Sequence, residues 1–464
     1  MPRTRPSPES GMTYYRLNCI VKKLLSRLTL FLAALLVAAS SFAQDAIFIN
    51  VADTHSAYDA YPKIISAVWG IAVTNPQADT YVVFNGDVFE LGNTLASRNA
   101  GELDWEFLVR LNAIAPVIFN IGNHEFDFIS YRRFLSEARA RNIQVIGGIV
   151  DAEAGIPLQP AYVTVPAGPS SITVVGIATN QMSTYPAAMR EAVKVPAPDR
   201  QIRNVPANLA NLYVLTHAGV AADRQIMQLL NPSNTLVVVG GHDHLSLSTE
   251  YQGHLYQHNG FRGEYLRVVE ATAIAEGWQV ETRVVAVDAL PGDIVFTDQV
   301  AEARQKLLEP ADLETVGTVP ATLSVRQAVD WATAALRDAV GADVALLNHT
   351  SFGSGLTAGE LSRYRFNEFM RFDNDVMVAE IDSETMTTIL SRANFDASTP
   401  LETLSGDFVY ASPLTVEPGR TYRLVTSSWI AMDFNQKNFL GVEGIQFEKL
   451  DGVTTKGLLA QSLQ

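Results

Sequence analysis

Five short motifs in this sequence set aspartate, asparagine and histidine close together: Asp53-Thr54-His55, Gly86-Asp87, Gly122-Asn123-His124-Glu125, His217, and Gly240-Gly241-His242-Asp243-His244. They take up five of the chain's eight histidines. Carboxylates, an amide carbonyl and neutral imidazoles are the donors of a site for hard-to-borderline dications. On an extended backbone, Asp-x-His and His-x-His spacing would aim both side chains the same way. Glycines before Asp87, Asn123 and His242 would let the chain turn sharply and come close to the ions. A lone histidine after a strand is more often structural, and His254, His258 and His349 are read that way. For the motif histidines that explanation needs five coincidences. Glu125 reads as a supporting or helix-capping residue, and Asp104 and Asp243 as solvated or capping ones.

The elements that must carry these residues are short β-branched, apolar runs alternating with helical patterns. Strands are predicted at 46–51, 81–85, 117–120, 144–149, 172–177, 212–216 and 235–239, with helices such as 130–141 and 223–230. Such alternation describes a layered α/β domain. Each motif falls at the carboxyl end of a predicted strand, the edge where α/β sheets form their sites. Strands and turns are expected over 251–287. Pro291-Gly292 breaks the pattern, and a helix at 301–308, ended by Pro310, reads as a connection. Beyond it a helix at 324–340, a strand at 344–347 and mixed elements to about 450 form a second unit, followed by a polar tail at 454–464. The plan is therefore a leader at 1–43, a catalytic domain at 44–290, a linker helix at 291–317 and a C-terminal domain at 318–464.

The order of the motifs resembles the calcineurin-like metallophosphoesterases, whose signature runs Asp-x-His, Gly-Asp, Gly-Asn-His-Asp/Glu, His and Gly-His-x-His. The likeness spans roughly 45–287. The longer string Gly122-Asn123-His124-Glu125-Phe126-Asp127, with a second domain, narrows it to the secreted 5′-nucleotidase family, which includes nucleotidases, UDP-sugar hydrolases and 2′,3′-cyclic phosphodiesterases. The resemblance implies a four-layer α/β/β/α metallophosphoesterase domain followed by a smaller α/β 5′-nucleotidase-type C-terminal domain. It implies two divalent metal ions, drawn from Mn, Zn, Fe, Co or Ni. One would be held by Asp53, His55, Asp87 and His244, the other by Asp87, Asn123, His217 and His242. Ions about 3.5–4 Å apart lower the pKa of a shared water and offset charge on the phosphate, so a metal-bridging hydroxide would attack. His124 would face the phosphate and stabilise or protonate the leaving oxygen. Asp127, three residues on at the start of a helix, would set its tautomer.

In that family the second domain binds the nucleoside between two aromatic rings, with arginines on the phosphate or ribose. Here Asn348-His349-Thr350-Ser351-Phe352-Gly353 stands where the family has Asn-x-Gly-x-x-Arg, so Gly353 replaces an arginine. Arg371-Phe372-Asp373-Asn374 stands where the family has Pro-Phe-x-Asn, and Arg371, Arg363 or Arg365 could supply the lost cation. Phe408 and Trp429 are either the stacking pair or core aromatics. Asp433-Phe434-Asn435-Gln436 replaces the family's Gly-Gly-Asp-Gly. The expected substrate contacts are thus Asn348, Arg371, Phe408 and Trp429.

Composition narrows the setting. Hydrophobic residues at 47% with 18% charged describe a folded chain. The leader carries Arg3, Arg5, Arg16, Lys22, Lys23 and Arg27 against Glu9, then an apolar run at 28–39 and Ser40-Ser41-Phe42-Ala43. A run this short reads as a signal peptide, not a membrane anchor, with Met1 or Met12 as the start. Its removal takes away six basic residues and one acid, shifting the net charge from −15 to −20. So acidic a chain is not expected to hold nucleic-acid polymers or an anionic membrane. The only cysteine, Cys19, lies in the leader, which excludes disulfides and thiol chemistry from the exported chain. The function expected is a periplasmic or extracellular phosphohydrolase acting on nucleoside 5′-monophosphates or related small-molecule phosphoesters. Alternatives on the same scaffold are a 2′,3′-cyclic nucleotide phosphodiesterase, a UDP-sugar hydrolase or a thiosulfohydrolase. A non-catalytic secreted binding protein would call for a broken ligand set.

Overall fold

The computed structural model describes residues 44–464 apart from residue 397, so the expected leader lies outside the described residues. Strand Ala46–Val51 runs parallel to Asp79–Asn85, and the sheet continues through Val117–Asn120 to Gln144–Ile146. On its other side the hairpin of Tyr265–Ile274 and Gly277–Ala286 adds two antiparallel strands. The second six-stranded sheet has the order Ser246–Tyr251, His254–Asn259, Thr235–Gly240, Leu212–His217, Ser170–Ala178, Tyr162–Ala167.

Successive residues of a strand face opposite ways, and here both faces are buried, which is why the strands are continuously apolar. Phe48, Val83 and Ile118 meet Val174, Leu215 and Val239 between the two sheets. Their neighbours Ile47, Ile49, Val82 and Phe84 face the other way, into a core with helices Tyr61–Thr74, Glu102–Ile114 and Tyr131–Ala140. The second sheet turns Val175, Ile177, Val214 and Val238 toward helix Val220–Met227. The result is the expected four-layer α/β/β/α arrangement.

Three asparagines lock the carboxyl ends of the two sheets together. Asn50, Asn85 and Asn120 are fully buried. Asn85 Nδ2 donates to the carbonyls of Thr216 and Val239, both at 3.0 Å. Asn120 Nδ2 donates to Asn85 Oδ1 at 2.8 Å and to the Ile177 carbonyl at 3.0 Å. Asn50 accepts from Tyr213 Oη at 2.6 Å. A slip between the sheets would strand these amides at about 1–3 kcal/mol each, so the loops that follow the strands start from defined positions.

In the C-terminal part, a five-stranded sheet has the order Val409–Ala411, Val344–Asn348, Thr421–Ser427, Asp375–Asp382, Glu448–Thr454. Helix Val325–Val340 opens on reciprocal capping between Ser324 and Gln327 and ends at left-handed Gly341. Its Ala328, Val329, Ala332 and Leu336 stripe packs into the core beneath that sheet. The helix expected at 301–308 begins earlier, at Ile294, capped by Asp293, and its Phe296 packs against Tyr61 and Phe107 of the catalytic core. The stretch expected as a polar tail is helix Thr455–Gln461, with Leu459 wholly buried. Leu459→Ala should cost about 2–5 kcal/mol of stability, read from the midpoint of a urea titration. Among the described residues no helix is long and apolar enough to cross a membrane.

Candidate metal centre and adjoining cavity

The motif loops do not run extended. Asp53, His55, Asp87, His242 and His244 all have left-handed backbone, with φ of 48°, 47°, 56°, 78° and 55°. A side chain in that region costs about 1–2 kcal/mol, so this corrects the extended Asp-x-His and His-x-His expectation and identifies a strained site. Backbone bonds from one loop to the next hold the kinks: Asp53 N–H to the Gly86 carbonyl at 3.0 Å and His55 N–H to that of Asp87 at 3.1 Å. His242 N–H donates to Asp53 Oδ1 at 2.9 Å. Gly86 is itself left-handed at φ 76°, and a Cβ there would stand 2.5 Å from His217 Nδ1. Gly122 lies so close to Asp87 that a Cβ would overlap the carboxylate Oδ1. Gly122→Ala should therefore weaken metal binding and lower turnover about tenfold or more, since it displaces the carboxylate shared by both predicted ion sites. Metal content after dialysis, measured beside the rate, checks it.

The loops bring the predicted ligands together. Asp53, His55 and His244 offer donor atoms all within 4.8 Å of one another, and so do Asp87, His217 and His242. Asp87 Oδ2 lies 3.1 Å from His217 Nε2 and 4.0 Å from His55 Nε2, between the two groups. Asn123 joins them through its N–H, which donates to Asp87 Oδ1 at 2.8 Å. Four polar atoms here are buried without a hydrogen-bond partner: Asp53 Oδ2, Asn123 Oδ1, His217 Nε2 and His244 Nδ1. Orphaned buried polar atoms are costly in a folded chain, and this mixed oxygen and nitrogen set suits two divalent cations. Charge tells the same story. Burial, with Asp87 adding repulsion, pushes the Asp53 carboxyl up to about 7. Burial and then His217 push His242 down to about 3.

Beside the cluster, His124 Nδ1 and Asp127 Oδ2 are 2.9 Å apart, and Asp127 also accepts the Leu91 N–H at 2.8 Å. The carboxylate can only accept, so Nδ1 carries the proton. Burial opposes the charge on His124, yet Asp127 and Asp87 outweigh it and raise the imidazole to about 10. Asp127 sits in the turn before helix Tyr131–Ala140, which Ser130 caps, and not at the start of the helix as expected. Glu125 is buried and accepts the N–H groups of Val88 and Gly122, bracing both loops. Asp243 caps helix Val220–Met227 through the Val220 N–H at 2.5 Å. Asp104 is neither solvated nor a cap. It is fully buried, and Tyr58 and Tyr61 each donate to it at 2.7 Å.

A cavity of about 640 Å³ is lined by Asp87, Asn123, His124 and His242 and by Asn348, Phe372 and Trp429 of the C-terminal part. Asn348 is buried there, donating to Thr350 Oγ1 at 2.8 Å and accepting from Ser351 Oγ at 2.6 Å. Trp429 is half-buried on the wall, edge-on to Phe434. Phe408 is not on that wall. Its ring is buried and stacked on His349 at 4.0 Å, so it is a core aromatic, whereas Phe372 lines the cavity with Trp429, as do Tyr185 and Phe439. Arg363 and Arg365 also lie off the cavity, paired with Glu314 and with Asp59 and Glu368. Arg371 does reach it, but paired. Its Nε donates to Glu90 Oε2 at 2.7 Å, Nη2 binds the same oxygen, and Nη1 donates to the Thr350 carbonyl at 2.9 Å. The Arg371 stem also lies 3.1 Å from where a Cβ on Gly353 would stand, and that Cβ would overlap the Glu368 carbonyl. An arginine at 353 has no room once Arg371 passes. Glu90, three residues after Asp87, went unread because one acid after an aromatic carries no spacing signal. His55 Nδ1 lies 3.5 Å from it.

Residues 48–246 match the family model of the calcineurin-like phosphoesterases. No curated protein matches the chain. Among solved structures, a 5′-nucleotidase precursor from Thermus thermophilus is 17% identical over 90% of this chain and 96% of that one, with a TM-score of 0.63. The sulfate thiohydrolase SoxB of the same organism is 13% identical over 91% and 94%, at 0.67. A 5′-nucleotidase from Candida albicans is 14% identical over 91% and 98%, at 0.61. At these identities the likeness is one of fold, and it extends through both parts of the chain.

Proposed function

We infer, for a chain that belongs to the calcineurin-like metallophosphoesterases and cleaves phosphoesters with two divalent metal ions, that its substrate is a nucleotide or a close relative and that it works outside the cytoplasm. The observation that carries the substrate reading is the cavity. At about 640 Å³ it suits a ligand of nucleotide size, and its lining includes both residues of the metal cluster and the aromatics Phe372 and Trp429. A base against an aromatic face gains about 1–3 kcal/mol. The leader's basic start, short apolar run and small-residue exit support export.

Asp53, His55, Asp87 and His244 would hold one ion, and Asp87, Asn123, His217 and His242 the other. When bound, the pair lowers the pKa of a water and offsets charge growing on the phosphate. The chain's own residues do the rest. Asp127 holds the Nδ1 proton of His124, so it is the Nε2 proton of the imidazolium that is handed to, or stabilises, the departing oxygen, leaving the ring neutral with its remaining proton on Nδ1. The loop kinks hold the donors in place before substrate arrives, which removes reorganisation from the reaction. A second reading, a thiosulfohydrolase, draws support from Gly353 in place of the family's arginine and from the fold shared with SoxB.

Purified protein assayed with manganese on AMP, UDP-glucose, 2′,3′-cyclic AMP and bis-p-nitrophenyl phosphate should release product, and a chelator should abolish it. AMP or UDP-glucose as the preferred substrate supports the nucleotide reading. Metal-dependent release from none of the four would sink it.

A further inference from the structure

Only two arginines, and no lysine, line the cavity among the described residues. Arg371 is neutralised by Glu90. Arg190, at the end of the short helix Ala187–Arg190, is not. Its Nε donates to the Tyr185 carbonyl at 3.0 Å and its Nη2 to the Ser183 carbonyl at 2.8 Å, and among the described residues no carboxylate pairs with it. A guanidinium has five N–H donors, so the two carbonyls fix its plane and leave donors unspent. In a chain of net charge −15, an exposed cation held rigid by carbonyls on a cavity wall has no internal counter-charge to account for it.

Its position says which part of a substrate it meets. Asn123 Nδ2 donates to the Thr184 carbonyl at 3.4 Å, so the segment lies directly against a predicted metal ligand. Arg190 binds the carbonyls of Ser183 and Tyr185, the residues on either side of Thr184, so its guanidinium is anchored to the same short segment that Asn123 touches. Elsewhere along the cavity Asp373 and Asp407 present carboxylates, which repel an anion.

We propose that Arg190 is a specificity-determining residue that binds a second anionic group of the substrate, linked to the phosphate under attack. The assignment rests on the phosphohydrolase reading and adds to it a cation from the catalytic half, where sequence comparison directs attention to the C-terminal half. A diphosphate such as ADP carries the second anion; AMP and p-nitrophenyl phosphate do not.

The test compares wild type, Arg190→Met and Arg190→Lys on ADP, AMP and p-nitrophenyl phosphate with manganese. Arg190→Met should lower kcat/KM for ADP by about 10- to 100-fold, the worth of charge-assisted hydrogen bonds, and change the other two less than threefold. Arg190→Lys, which keeps the cation, should recover part of the ADP rate. An equal loss on all three substrates would mean that Arg190 only braces its loop, and no loss on ADP would remove it from the site; either overturns the assignment. If wild type turns over none of them, the phosphohydrolase reading fails on its own. ADP and AMP are then stable ligands, and calorimetry on the same variants decides. Tighter binding of ADP that Arg190→Met abolishes upholds the anion site, and equal binding rejects it.

Discussion

His124→Ala should lower turnover by about 10²–10⁴-fold and leave the metal content of the protein unchanged. The magnitude is that of a positioned acid or of one strong donor to a developing oxyanion. The unchanged metal content follows from geometry. His124 lines the cavity, and its Nδ1 is committed to Asp127 at 2.9 Å, while the two donor triads Asp53–His55–His244 and Asp87–His217–His242 close without it. Asp127→Asn should give a smaller loss, because its amide can present the wrong group to Nδ1 while the ring stays in place. Metal analysis and single-turnover rates on the same samples check both variants. Loss of an ion from His124→Ala would make it a ligand, and an unchanged rate would remove it from the chemistry.

Arg371→Ala should destabilise the folded chain by about 3–5 kcal/mol, a large share of the roughly 5–15 kcal/mol that holds a typical domain. Arg371 and Glu90 are almost completely buried, at 3% and 2% exposure, so removing the cation leaves a carboxylate with no solvent to take its place. Arg371's attraction holds Glu90 below the usual carboxylate range against a burial that pushes it up. The same change reaches the metal cluster. Arg371 Nη2 is 3.2 Å from His55 Nδ1, and Glu90 Oε2 is 3.5 Å from it, so the pair orients the imidazole from behind. Such supporting groups are worth about 10- to 100-fold in metal affinity. Guanidinium titration and competition with a chelating dye measure the two effects. The double variant Glu90→Gln, Arg371→Met should recover much of the stability, because no charge is left buried, but not the metal affinity. A cost below about 1 kcal/mol for Arg371→Ala would show that Glu90 is solvated or paired elsewhere.

The distinction between what could be read and what could not follows from the range of each interaction. Strands at 46–51 and 117–120 were legible to the residue because both faces are buried and each run is wholly apolar but for one asparagine, at or next to its end. Helix Thr455–Gln461 was missed because its apolar residues Leu458, Leu459 and Ala460 are consecutive and a single short cluster makes no helical period. Phe408 and Phe372 could not be told apart by composition. Which ring faces the cavity depends on His349 stacking on Phe408 from a neighbouring loop.

By itself the sequence determined the alternation of strands and helices, the carboxyl edge where the site lies, and the side chains that gather there, because strand patterning and ligand type are local properties; the order of the four layers followed from the family resemblance those motifs carry. The tertiary structure decided the rest. It replaced extended ligand pairs with left-handed kinks held by bonds between loops. It also gave Arg371, expected as a substrate contact, a buried partner in Glu90, across 281 positions of chain. A charge's role is set by what lies within a few ångströms of it, and only the fold brings Glu90 to Arg371 or leaves Arg190 without a carboxylate partner.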